Sequence, residues 1–548
     1  MPTRRSFIGG AASAAMLSAP RSARGNAQGA IAPDWHDLAG SYRAPEWFRD
    51  AKFGIWAHWG PQCQPEYGDW YARLMYQQTP PPWMGEHNAY AHHLRHYGHP
   101  SETGFLDVIG QWKAENWDPQ YLLGRYVKAG ARYFMAMGCH HDNLDLFDSA
   151  HHEWNSVRVG PKRDIVGTWE PLVREAGLKF GVSNHAGHAW HWYQPAYGYD
   201  PEGPLKGRRY DAYWLRKHHG EGKFWEGLDP QELYTGPYYV PPDGIESGKE
   251  LFEWHDKLDG QWLEGIPEHN LRFVEKWLQR QNQMVDRYKP DMVFLDHAGL
   301  PFGRYGLEAA AHYYSRSIEW HGEPSVVLTA GKLDPFARRA LTWNVERGIL
   351  DSIQELPWQT CTCIGQWHYS RPAYEQGGYK SARQVMQMLT DIVSKNGCLL
   401  LNIPVRGDGT IDEKEGAILD QIASWTARNG EAIYETRPWR KFGEGPTASA
   451  PAEAFGEGAQ KPYTGDDVRF TRKDSTLYAV FLEWPQAESA ITALGRTALP
   501  DARIERIDLL GGPELEFRRD SDALRLTLPP PQNGAFLPAI RIRGRGLV

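Results

Sequence analysis

The chain has 548 residues and a formal net charge of -8, too long for one small domain and suited to a large α/β body with a smaller module. Its charges of both signs are scattered, without the clustered basic face that a nucleic-acid binder needs, and no stretch is long and apolar enough for a stable membrane span. Five cysteines (Cys63, Cys139, Cys361, Cys363, Cys398) are odd in number and widely spread. They make neither a disulfide framework nor, at Cys361 and Cys363, a zinc set, and they read as mostly small buried apolar residues, with a single bridge in an oxidising periplasm as the alternative. Most of the 24 Trp and 27 Tyr are expected in the core, with some left as flat platforms for the C–H faces of sugars.

Residues 1–28 carry Arg4-Arg5, an uncharged run over 9–17 and a small-x-small site at Gly25-Asn26-Ala27. This is the pattern of a twin-arginine export signal, so a periplasmic or secreted bacterial enzyme is expected. The run 53–57 reads as an apolar strand with His58 at its tip. Glu66, Asp69 and Trp70 follow in one loop, where they either grip hydroxyls and an apolar ring face or pack the loop against the body. Residues 117–130 read as a helix entering a strand over 131–137 that ends in His140-His141-Asp142. Neighbouring side chains on extended backbone point to opposite faces, so this pair suits separate donation to hydroxyls better than one shared metal. A helix over 170–177 and a strand over 178–183, tipped by Asn184-His185, continue the rhythm. The alternation predicts a parallel sheet, most economically a (β/α)8-like TIM barrel with its site at the C-terminal face.

Residues 203–265, rich in Gly, Pro, Tyr and charge, break that rhythm and read as an insertion over the barrel mouth. Leu271, Val274, Leu278, Val285 and Tyr288 then line one face of a helix that Pro290 stops. Met292 to Leu295 make a buried strand, and Asp296 stands at its tip as a catalytic candidate or as a capping or loop aspartate. A strand follows over 324–329. Glu346 sits in a polar loop over 343–348, aromatics crowd 356–369, an amphipathic helix spans 381–394, and 397–403 is a late buried strand. The barrel is therefore placed at 29–435. Beyond a Gly/Pro/Ala-rich connection over 443–465, a hairpin (468–471 with 476–482) and strands over 504–509 and 524–528 predict a C-terminal β-sandwich within 436–548.

Five segments in order resemble glycoside hydrolase family 29, the α-L-fucosidases. They are Trp47 through Gly60 with Asp69-Trp70-Tyr71-Ala72-Arg73, His140-His141-Asp142, Lys289 through Asp296, Pro357 through Trp367, and Ser394-Lys395-Asn396-Gly397 through Asn402 with Asp408-Gly409-Thr410. The resemblance implies that Asp296 is the nucleophile and that His58, His140, His141, Trp70 and Trp367 bind the sugar. Asp69 falls where many members carry Glu. Glu346 resembles the general acid/base of the branch with a Glu-Arg-Gly segment, with Glu355 and Glu323 as competitors, and Asn184-His185 stands where an aromatic is often found.

The implied activity is exo-hydrolysis of terminal α-L-fucosyl residues by double displacement, without metal or cofactor. Two carboxyls about 5–5.5 Å apart are needed, one ionised to attack the anomeric carbon and one protonated to help the leaving oxygen depart. An apolar or anionic setting would raise Glu346, and His and Trp donors would hold Asp296 ionised. The alternatives are a relative preferring α-L-galactosides, a carbohydrate-binding protein with a degenerate site, and a metal-dependent hydrolase suggested by the histidine pair.

Overall fold

The computed structural model describes residues 30–548 except 86, 449–453 and 533, so the expected export signal lies outside the described residues. Eight parallel strands close into a barrel in sequence order: β1 (Phe53–Ala57), β2 (Tyr133–Cys139), β3 (Lys179–Asn184), β4 (Met292–Ala298), β5 (Val327–Gly331), β6 (Thr342–Asn344), β7 (Trp358–Cys363) and β8 (Gly397–Asn402). Closure is made by β1, whose Gly54 faces both Tyr133 of β2 and Leu400 of β8.

The helices behave as their sequences dictate. Ala382–Ser394 starts at Ser381, whose hydroxyl accepts from the Gln384 backbone N–H while the Gln384 side chain accepts from Ser381 in return. Its buried Val385, Leu389 and Ile392 cover β8, where Leu399, Leu400 and Leu401 are wholly buried. Leu271–Tyr288 is capped by Asn270 and ends at Lys289, in the left-handed region, one residue ahead of Pro290.

Two strands were not evident from the sequence. β6 is only three residues long, and β7 reads Trp-Gln-Thr-Cys-Thr-Cys, polar enough to pass for loop. Both sit in the barrel wall, where their polar groups find partners: the Gln359 amide donates to Asn344 at 3.1 Å and the Thr360 hydroxyl to the Gly348 carbonyl at 3.2 Å. The 203–265 segment also carries more regular structure than its composition suggests, including the helix Gly248–Lys257 capped by Ser247.

The C-terminal strands are β9 (Arg437–Glu444), β10 (Val468–Lys473), β11 (Thr476–Phe481), β12 (Ser489–Ile491), β13 (Arg503–Leu509), β14 (Phe517–Arg519), β15 (Leu524–Leu526) and β16 (Ala539–Arg545). They form a five-stranded sheet, β13-β16-β11-β10-β9, and a three-stranded sheet, β12-β15-β14. Phe470, Leu477 and Ile540 from the first share one apolar core with Ile491, Leu524 and Leu526 from the second, the packing of a sandwich. A buried ion triad ties this module to the barrel: Asp391 accepts from Lys395 at 2.7 Å and from Arg469 of β10 at 2.6 Å. No helix among the described residues is long and apolar enough to cross a membrane.

Candidate active site

Asp296 is the fifth residue of β4. The β4–β5 register slips between Phe294 and Ala298, an irregularity that breaks the ladder around the aspartate and re-aims the chain there. Its Oδ2 accepts from His185 Nδ1 at 3.0 Å and lies 3.3 Å from His141 Nε2, while His188 Nε2 donates to its backbone carbonyl at 3.0 Å. The side chain keeps 23% of its exposure, enough for a ligand to reach it. Burial acts to raise the pKa, but the opposing pull of His185 and His141 prevails, holding the carboxyl well below the usual range.

Glu346 lies two residues past β6. The Val345 and Arg347 N–H groups donate to the Gln359 and Cys361 carbonyls of β7, both at 2.8 Å, so the loop is zipped to the neighbouring strand. Trp367 Nε1 donates to Glu346 Oε1 at 3.1 Å. Burial, then the charge of Asp296, push the Glu346 pKa up to about 8; Asp69 adds to the rise and Arg347 and Trp367 oppose it. The competing carboxylates are at the other end of the barrel. Glu323 precedes β5 and Glu355 precedes β7, so both stand at N-terminal strand ends, whereas Asp296 and Glu346 stand at C-terminal ones.

Imidazoles and indoles link the two carboxyls: Trp367 bonds Glu346, His185 bonds Asp296, and both rings pack on His58. The His58 ring is 5.0 Å from His140, 5.2 Å from His185, 4.8 Å from His368 and 5.3 Å from Trp367. Both His58 ring nitrogens are buried without a protein partner. Burial, reinforced by the neighbouring His368 and His185, lowers its pKa well below the ordinary value, leaving a neutral ring able to donate from one nitrogen and accept at the other. For His140 the proton position follows from Gln62. The Ala72 N–H donates to Gln62 Oε1, so the Gln62 amide N–H faces His140 Nδ1 at 2.7 Å and His140 keeps its own proton on Nε2. Asp69, the shorter carboxylate, is held by His368, whose Nδ1 is 2.6 Å away. Trp70 sets its ring 6.4 Å from that of His141.

All eight residues singled out in the sequence occupy this region, but the expectation that His140 and His141 diverge is overturned. Their ring centroids are 4.5 Å apart. Strand β2 ends at Cys139, and the Asn143 N–H closes a turn on the His140 carbonyl at 3.1 Å, so the pleat no longer separates the two side chains.

Other site residues were not assigned from the sequence. His185 holds Asp296 from the β3 tip, a position parallel to that of His58 and legible as such. His368 follows Trp367 directly, yet its partner Asp69 is 299 residues away in the chain. The 203–265 insertion supplies Trp262, whose ring lies 3.9 Å from His188, 5.5 Å from His141 and parallel to Trp70 at 6.4 Å. It also supplies Glu264, which takes His297 Nδ1 at 2.6 Å and the Ala298 N–H at 2.7 Å, pinning the end of β4. Asp259 of the same segment is clamped by Arg73 and His255, each at 2.6 Å.

Among the described residues, three sets of donors converge closely enough for a cation: His58, Asp69, His140 and His368; His140, His141 and His185; and His188, Glu264 and His297. In the second, His141 Nδ1 faces the His185 carbonyl and His185 Nδ1 faces Asp296; in the third, His297 is bonded to Glu264 and His188 to the Asp296 carbonyl. The first retains the His58 nitrogens and His368 Nε2 unpartnered, an array that equally suits the hydroxyls of a sugar ring.

A family model described as Alpha-L-fucosidase matches residues 18–431, and one described as Alpha-L-fucosidase C-terminal domain matches 460–542. The tissue alpha-L-fucosidase of Rattus norvegicus is 25% identical over 531 residues, covering 95% of this chain and 93% of its own. The plasma alpha-L-fucosidase of Rattus norvegicus is 27% identical over 463 residues, covering 83% and 80%. Among solved structures, the Thermotoga maritima alpha-fucosidase in complex with fucose shares the fold with a TM-score of 0.62 at 23% identity, over 93% of this chain and 100% of its own. The Paenibacillus thiaminolyticus alpha-L-fucosidase isoenzyme 1 does so at 0.59 and 19%, over 91% and 98%. With a barrel, a terminal sandwich and a two-carboxyl pocket in place, the chain belongs to the alpha-L-fucosidase family of glycoside hydrolases.

Proposed function

We propose that the protein is an exo-acting, retaining α-L-fucosidase. The observation that carries this reading is the opposite displacement of two carboxyls in one pocket, Asp296 held ionised by imidazoles and Glu346 held protonated by burial and by the negative charge opposite it. In the first step the Asp296 carboxylate attacks the anomeric carbon while Glu346 gives its proton to the departing oxygen. In the second, Glu346, now a carboxylate, takes a proton from water as that water displaces Asp296. His58, His140 and His141 meet the sugar hydroxyls, and Trp70, Trp262 and Trp367 provide flat apolar surface beside them. A fucosylated oligosaccharide or glycoconjugate is the corresponding substrate. The reading extends to export: residues 1–28 direct the folded enzyme to the periplasm or beyond.

The test is to trap the enzyme with a 2-fluoro-α-L-fucosyl reagent and map the modified peptide. A label on Asp296 is expected. A label elsewhere, or inhibition without covalent attachment, removes the double-displacement reading.

A further inference from the structure

Between β9 and β10 of the C-terminal module, the chain turns back onto the acid/base loop. The Phe455 N–H donates to the Glu346 carbonyl at 2.8 Å, and the Glu457 N–H donates to the Arg347 carbonyl at 2.9 Å. Glu457 then directs its carboxylate inward, where it is only 11% exposed: Oε1 lies 2.9 Å from Lys380 Nζ and 3.9 Å from Arg347 Nη1, and Oε2 accepts from the Thr362 hydroxyl of β7 at 2.8 Å. Arg347 in turn lies over the Trp367 ring, 5.4 Å from its centroid, and Trp367 donates to Glu346. The contacts run unbroken from Glu457 through Arg347 and Trp367 to the Glu346 carboxyl. These strap residues, 454–459, fall between the stretches that the two family models match, 18–431 and 460–542.

We infer that this strap belongs to the catalytic apparatus, with Glu457 as a positioning residue that fixes the Glu346 loop and draws the Arg347 guanidinium away from the acid/base carboxyl. The inference rests on the proposed function, because it concerns how Glu346 stays protonated. A guanidinium beside a carboxyl favours the carboxylate, so a general acid next to an arginine works at neutral pH only if that cation is otherwise engaged. The charged and titratable groups around Glu346 are Arg347, Asp296 from β4, Asp69 from the loop after β1 and Cys361 from β7; around Glu457 they are Lys380, Arg347 and Cys363. Glu457 is thus an anion beside Arg347, whose Nη2 also donates to Cys363 Sγ at 2.6 Å.

The test uses the full chain, with Glu457→Gln and Glu457→Asp assayed on aryl α-L-fucosides of graded leaving-group acidity. General-acid help contributes about 10²–10⁴-fold, so Glu457→Gln is expected to lose about 10-fold or more on phenyl fucoside. The 2,4-dinitrophenyl fucoside, which needs no protonation to depart, is expected to change by less than about threefold. The alkaline limb of kcat/KM is expected to move to lower pH, and Glu457→Asp to recover part of both effects. In an Arg347→Gln background, Glu457→Gln should no longer move that limb. Equal losses on every leaving group with an unmoved limb, or no loss at all, overturn the inference. Should Glu457→Gln not fold, Thr362→Val, which removes the hydroxyl that holds Glu457 Oε2, is read by the same criteria. If the unaltered enzyme fails to hydrolyse aryl α-L-fucosides the functional reading falls; if it does so while the Glu457 results fail, only the strap inference falls.

Discussion

The tips of β4 and β6 present the same functional group to one pocket and treat it in opposite ways. At β4 the backbone irregularity leaves Asp296 facing two imidazoles, each close enough to stabilise a negative charge. At β6 the zipped loop sets Glu346 against an indole that offers a single hydrogen bond, with Asp296 as the strongest of the nearby charges. The lesson is that a carboxyl's role is written in the donors around it: surplus donors make a nucleophile, and scarcity beside an anion makes an acid.

Removing the charge at β4 gives the largest expected effect. Asp296→Gly should reduce hydrolysis of an aryl α-L-fucoside by about 10⁴-fold or more, measured as kcat, while fucose binding by calorimetry stays detectable. Near-normal turnover would break the contrast between the tips. Emptying the β6 side is expected to cost less. Glu346→Ala should lose about 10²–10³-fold on substrates with poor leaving groups, and azide should restore rate by forming fucosyl azide. The unaltered enzyme should show an alkaline limb in kcat/KM near pH 8, because the acid must be protonated and its pKa stands at about 8; that limb should vanish in Glu346→Ala. An unchanged limb would move the acid role to another group. The smallest effect sharpens the comparison instead of breaking it. His185→Phe withdraws one donor from Asp296 and should lower kcat by about 10–10²-fold, with the acid limb moving to higher pH as the aspartate's pKa rises. A shift in the alkaline limb alone would mean that His185 serves Glu346.

The strand tips were legible because an apolar run ending in a polar residue is a local pattern; β1, β4 and β8 each show it within seven residues. That pattern located His58 and Asp296. It fails for β6 and β7, whose interior groups are polar and are satisfied only once the barrel closes. Glu346 came from the family resemblance, and its setting depends on Trp367, 21 residues on, and Phe455, more than a hundred residues on. Trp262 and Glu264 lie in a stretch without periodicity, and only the folded path of the insertion brings them to β4. Local chemistry was readable; partnerships across the chain were not.

All five cysteines are buried and unpaired, and none occurs after Cys398. Burial raises each thiol above its ordinary value, so a water-borne alkylating reagent finds little thiolate and no path to it in the closed protein. Modification therefore waits on breathing of the barrel, which carries every thiol. Counting alkylated sulfurs by intact-mass spectrometry over time turns these thiols into a clock for one half of the molecule, with no engineered probe.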